Sequence, residues 1–219
     1  MITIAEIVGR VNTQLTDPLW LRWPLAELCD YYNDAVRAVI LVRPDAGASV
    51  EALACVPDSR QSLPPGALRI IDVIRITGGR ALLPVPREVL DNQYPDWHDM
   101  RGEPERYVYS EVTPRLFWLF PAPEVAMSID AVVCRVPAVA QISKMDDTAA
   151  VQVDEIYVNP LVDWILYRAF SKDVAGGASP AQAMQHYQAF ADQMGIKQNA
   201  DRFMARMKQA QFAGNGGAS

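Results

Sequence analysis

The stretch Leu116-Phe117-Trp118-Leu119-Phe120 limits the possible folds more than any other part of the chain. Thr113-Pro114-Arg115 precedes it and Pro121-Ala122-Pro123-Glu124 follows it, and both are turn sequences because proline sets φ and cannot donate to a ladder. A strand is therefore expected between them. Alternation puts Leu116, Trp118 and Phe120 on one face and Phe117 and Leu119 on the other. Both faces are apolar, whereas an antiparallel strand with one wet face alternates apolar with polar residues. Leaving three such side chains in water forfeits roughly 5–9 kcal/mol, at about 1.5–3 each. That is comparable to the stability of a whole domain, about 5–15 kcal/mol. Both faces must be covered, by a second sheet, by helices or by another subunit. Tyr107–Glu111 before it and Ser128–Val136 after it read as further strands, which predicts a three-strand meander.

The rest of the chain supplies helices at its ends and strands in its middle. Thr3 to Leu15 repeats apolar residues at helical spacing, with Thr3 as cap. Pro24 to Val42 does the same, with Pro24 at the first helical position. From Ser49 the period becomes alternating. Val50–Val56 and Ala67–Thr77 are predicted strands joined by Gln61-Ser62-Leu63-Pro64-Pro65-Gly66. Gly78-Gly79 marks a hairpin turn into Arg80–Val85. Pro86–His98 is a polar connection with a short helical turn. After a loop over 138–153, Leu161–Lys172 is apolar nearly all round, the pattern of a buried helix. Ser179-Pro180 caps a last helix carrying Ala183, Met184, Tyr187, Phe190, Ala191 and Met194 on one stripe. The predicted fold class is α+β: a helical bundle of residues 1–48 and 138–212 with an inserted antiparallel β-rich module, 49–137. Residues 213–219 are expected to form a flexible tail.

Composition narrows the function. The 219 residues carry a net charge of −6, with 16 Arg against 4 Lys. The arginines are scattered among acids, whereas a groove for nucleic acid clusters its cations. Arginine's planar fork suits fixed ion pairs at protein interfaces. No apolar run approaches the roughly 20 residues that span a bilayer. The first residues lack a signal-peptide core, so a cytosol-like compartment is expected. Cys29, Cys55 and Cys134 are far apart and in apolar surroundings, which predicts buried free thiols.

No catalytic, cofactor or metal site is predicted. Asp96-Trp97-His98-Asp99 groups three polar candidates, but neighbours on one loop do not converge without a scaffold. Gly78-Gly79 and Gly176-Gly177 lack the lysine and the strand–glycine–helix context of a phosphate loop. Two candidate contact surfaces remain. Tyr94, Trp97 and Arg101 are residue types that dominate interface hot spots; Trp97 either anchors a partner or caps the module's own core. Lys197, Arg202, Arg206 and Lys208 face only Asp201, a net charge of +3, with Phe203, Met204 and Met207 among them at helical spacing. That segment is either a solvated extension of the last helix or an amphipathic element that orders on a partner.

Several phrases in order carry a resemblance. They are Arg22-Trp23, Tyr32-Asn33-Asp34-Ala35, Arg43-Pro44-Asp45-Ala46, Gln61-Ser62-Leu63-Pro64, Leu68 to Val73, Pro95-Asp96-Trp97, Pro121-Ala122-Pro123 and Leu166 to Asp173. Over roughly residues 3–195 the chain resembles the phage adaptor family, head-to-tail connectors related to the tail tubular protein A of short-tailed phages. The resemblance implies a non-enzymatic virion protein of the neck or tail, assembled in the bacterial host cytoplasm. Its implied partners are the portal protein, the tail nozzle or tail tube and its own copies, in a ring of twelve that passes DNA without specific binding. Another neck or tail-completion protein is the alternative.

Overall fold

The structure, a computed structural model, describes residues 1–172 and 179–195. It is an α+β protein whose sheets are antiparallel except for one short parallel pair. The chain divides into two compact units, one made of residues 1–43 and 138–219 and the other of 44–137.

In the first unit, α1 spans Ile4–Leu15 and α2 spans Leu25–Val42. α1 starts on a reciprocal capping box: the Thr3 hydroxyl accepts from the Glu6 N–H, and the Glu6 carboxylate accepts from the Thr3 N–H. It buries Ile4, Ile7, Val8, Val11 and Leu15, the predicted stripe. Pro24 sits just outside α2 with extended backbone, φ −55° and ψ 148°, rather than at its first helical position. The buried face of α2 runs from Leu28 through Tyr32 and Val36 to Val39 and Ile40. Asn33, itself buried, donates to the carbonyls of Cys29 and Ala140 and accepts from the Ala140 N–H, fixing the strand-like segment beside α2.

The helix predicted from Leu161 begins earlier, at Val158, because Asn159 and Pro160 fall in its first turn, where a missing N–H costs nothing. Its bounds are Val158–Ser171, and it buries Val158, Pro160, Leu161, Ile165, Leu166 and Ala169. A last helix covers residues 180–195. It buries Ala183, Phe190 and Met194 but leaves Met184 63 % and Tyr187 41 % exposed, so only half of the predicted stripe is covered. With α3 named below, these two are α4 and α5.

The second unit is a two-sheet sandwich. Its strands are β1 Ala48–Cys55, β2 Arg60–Ser62, β3 Ala67–Ile76, β4 Leu83–Pro84, β5 Arg106–Tyr109, β6 Leu116–Phe120 and β7 Met127–Arg135, with a short helix α3 at Arg87–Gln93. One sheet has the order β1-β7-β3 and the other β2-β6-β5-β4. The predicted meander is thus incomplete. β5 and β6 pair as expected, but β7 joins the opposite sheet between β1 and β3. The reason is steric. Both edges of β6 are already taken, by β5 and by β2, which the sequence presented only as a connection. Past Phe120 the chain is tied to 100–102 by the Ala122 N–H to Met100 and the Gly102 N–H to Ala122, so it cannot fold back on β6.

The Gly78-Gly79 turn forms as predicted, with Gly78 at φ +73° and the Gly79 N–H on the Ile76 carbonyl. The return strand is shorter than predicted. Only Ala81 bridges back to Arg75 before β4 leaves to pair in parallel with β5. The core between the sheets holds Leu53, Ile70, Val73, Tyr107, Phe117, Leu119, Ile129 and Val133.

Candidate interaction surfaces

The two-faced strand is where the second unit acquires its outer layer. Phe117 and Leu119 point into the sandwich core, while Trp118 and Phe120 meet a second cluster of Val85, Leu90, Trp97 and Val108. α3 and the loop behind it cover part of the second face, where Leu116, Trp118 and Phe120 remain half-buried, while the sandwich core closes the first. Trp97 is the keystone of that cover and is 1 % exposed. Its indole N–H donates to Asp91 Oδ1 at 2.9 Å, its ring meets Phe120 edge-on at 6.3 Å, and His98 stacks on it at 3.7 Å. The Trp97 bond, opposed in part by desolvation, holds the Asp91 carboxyl below its ordinary range.

Of the three residues selected here from sequence, Trp97 is therefore interior. Tyr94, 44 % exposed, lies against Phe120 with ring centroids 5.4 Å apart. Arg101 is exposed and donates to the Pro57 carbonyl at 3.1 Å. His98 is exposed and faces the buried Ser59 hydroxyl at 3.2 Å, and among the described residues no group of three or more His, Cys, Asp or Glu could hold a metal ion. The three cysteines are free and buried, and burial pushes the Cys55 thiol up to about 12. Lys197, Arg202, Phe203, Met204, Arg206, Met207 and Lys208 lie outside the described residues.

The first unit displays apolar side chains that sequence reasoning did not single out. Between α1 and α2, the Asp17 carboxylate accepts from the N–H groups of Leu21, Arg22 and Trp23 at 3.1, 2.8 and 3.0 Å. These bonds, that of Trp23 foremost, keep the Asp17 carboxyl below its ordinary range against a desolvation cost. Trp20 takes a left-handed φ of 54° at the loop's tip. Below it, Trp23 is buried, donates Nε1–H to the Ala169 carbonyl and meets Phe170 edge-on. Lys172 closes the base by donating to the Arg22 carbonyl and to Glu27. The loop so held presents Leu19 and Leu21, 72 % and 79 % exposed.

At the far end of α2 there is an open apolar cavity of about 340 Å³. Leu41, Trp164, Tyr187, Phe190 and Met194 are among its lining residues. Trp164 meets Phe190 edge-on at 4.8 Å, and Leu41 stands 84 % exposed at the rim. Leu41 falls outside the apolar stripe of α2, and a leucine on the polar side of an amphipathic helix was the available signal.

No helix of the described residues is long and apolar enough to cross a membrane. The described surface thus offers apolar side chains, Leu19, Leu21 and Leu41, but no catalytic or metal-binding cluster stands out among the described residues. The family model described as SU10 adaptor protein matches residues 2–210, and the chain belongs to that family: it is a phage adaptor, a structural protein of the virion. A comparison with curated proteins returns no match.

Proposed function

We propose that the protein joins the portal of the phage head to the tail nozzle, as one copy of a ring, of twelve as the family resemblance suggests, that continues the DNA channel. The observation that carries this reading is the family match over residues 2–210, nearly the whole chain. Two physical features support it. The protein is acidic, with a net charge of −6, and outside the short basic stretch 197–208 its cations are scattered among acids rather than clustered to hold a passing genome by counterion release. Its exposed aliphatic residues sit on braced elements, so they are presented at little entropic cost on binding.

In this reading the surface around Tyr94 and Arg101, seated on Trp97, meets a neighbouring copy or the tail. The segment carrying Lys197, Arg202, Phe203, Met204, Arg206, Met207 and Lys208 docks on the portal. Neither module acts as an enzyme, and no cofactor is needed. Electron microscopy of the purified chain mixed with its candidate portal tests the proposal. Rings seated on the portal are expected. Portals that stay bare at saturating adaptor would overturn it.

A further inference from the structure

We propose that in the free chain residues 196–212 turn back at Gly195 and lay Phe203, Met204 and Met207 in the apolar groove beside Leu41, so that a portal has to draw this segment out of its own chain. The inference rests on the reading of that segment as the portal's contact only for what releases it.

The groove and the start of the segment are one place. Gly195, the last residue described, belongs to the groove wall together with Leu41, Trp164, Phe190 and Met194. Twenty-four residues follow it, and Phe203, Met204 and Met207 stand 8, 9 and 12 positions on. Eight residues reach about 12 Å as helix and up to about 29 Å extended, enough for a reversal onto a groove that adjoins them. A Cβ at Gly195 would meet open space, so no neighbour blocks a turn there, and glycine admits the positive φ with which chains commonly reverse after a helix.

Proximity, rather than apolar character alone, names the occupant. A segment joined to the groove by a short link is present at an effective concentration on the order of millimolar, so any other chain at about micromolar starts roughly a thousandfold behind. Three further features fit this segment. Two of its three apolar side chains are methionines, which adapt to a shallow, irregular wall. The Trp164 indole N–H is buried with no acceptor among the described residues, and a main-chain carbonyl laid along the groove would supply one. The stretch 197–208 carries +3 in a chain of net charge −6, so the body it lies on is more acidic than the chain as a whole. The contact has to be surrendered on the portal, so it is weak. It adds little to the melting midpoint, and its test is local.

Disulfide trapping in the full chain provides that test. Leu41→Cys is combined with Met204→Cys in one variant and with Arg206→Cys in another, and both are oxidised mildly at several protein concentrations. Leu41 is mostly exposed, so its replacement keeps the fold. The native thiols of Cys29, Cys55 and Cys134 are buried, with burial raising all three above the ordinary thiol range, so they compete poorly for oxidant. The two tethers are nearly equal in length, but on a helix positions 204 and 206 point about 200° apart.

Seated on its apolar stripe, the segment is expected to close 41-to-204 about tenfold faster than 41-to-206, within single chains at every concentration. Equal rates, no crosslink, or crosslinks that join two chains would overturn the groove contact. Chains locked by the 41-to-204 disulfide should leave portals bare in electron microscopy and decorate them once reductant is added; locked chains that decorate would overturn the release step. The unmodified chain separates the two readings. Equal crosslinking rates with portals still decorated by that chain remove the groove contact and keep the portal reading. A register-specific crosslink with portals left bare by that chain keeps the groove contact and removes the portal reading.

Discussion

Replacing Trp97 with alanine separates an interior tryptophan from an interface anchor. The side chain is 1 % exposed and packs with Val85, Leu90 and Val108 against the outer face of β6. Truncating a buried Trp costs about 3–5 kcal/mol, and the edge-on contact with Phe120 pushes the figure toward the upper half, since aromatic pairs add about 0.5–1.5. For a unit the size of 44–137, each kcal/mol moves the melting midpoint by about 4–8 °C. The expected fall is therefore at least about 12 °C at the lower limits of both ranges. Calorimetry reads the midpoint, and hydrogen exchange resolved by peptide places the loss in 44–137 rather than in 1–43. Trp97→Phe keeps most of the packing and loses only the bond to Asp91, so its fall should be clearly smaller. An unchanged midpoint for Trp97→Ala, with assembly on the portal abolished, would refute the reasoning and restore Trp97 as a partner's anchor.

The carboxyls of Asp17, Glu51, Asp91 and Asp130 are held below their ordinary range, chiefly by the Trp23 N–H, Arg135, Trp97 and Thr77 respectively. A depressed folded-state pKa contributes stability that is present above the unfolded value and lost as pH falls through the folded one, so thermal melts should weaken below about pH 4; a midpoint that rises on acidification would contradict this. Duplex DNA should bind the isolated protein more weakly than about micromolar at physiological salt, and fluorescence anisotropy showing tight binding with a steep salt slope would exclude a slippery channel. A chain ending at Gly195 should melt like the full chain and fail to decorate portals; normal decoration would clear the last segment of that role.

Much of this was legible in the letters, and the parts that were not share a cause. Thr3 and Glu6 announced the start of α1 because a capping box is local chemistry. The two apolar faces of Leu116–Phe120 required covers on both sides; the sandwich core closes one and the Trp97 layer covers part of the other. β2 was invisible because three residues have no period. Its central Gln61 is polar, yet buried, with its amide spent on the Val56 N–H and on the carbonyls of Val56 and Asp58. The exposed leucines and the cavity beside Leu41 were missed for a different reason. Leu19, Leu21 and Leu41 are ordinary leucines in sequence, and only the tertiary fold decides which leucines remain in water.

The strand β3 shows how an exposed sheet edge of the second unit departs from a regular ladder. Its sequence repeats every three residues, Ala-Leu-Arg, Ile-Ile-Asp, Val-Ile-Arg, which no regular strand of period two accommodates. The structure resolves the mismatch with register shifts against β7 between Ala67 and Arg69, Ile70 and Asp72, and Val73 and Arg75. Ala67, Ile70 and Val73 stay in the core, and the extra residues Leu68, Ile71 and Ile74 are left partly in water. The Val73 N–H donates to the Asp72 carboxylate, which also accepts from the Tyr107 hydroxyl of the other sheet. The Leu82 N–H takes the carbonyl of Ile74. A repeatedly bulged edge is a poor template for a flat strand. It nevertheless offers aliphatic side chains at each bulge.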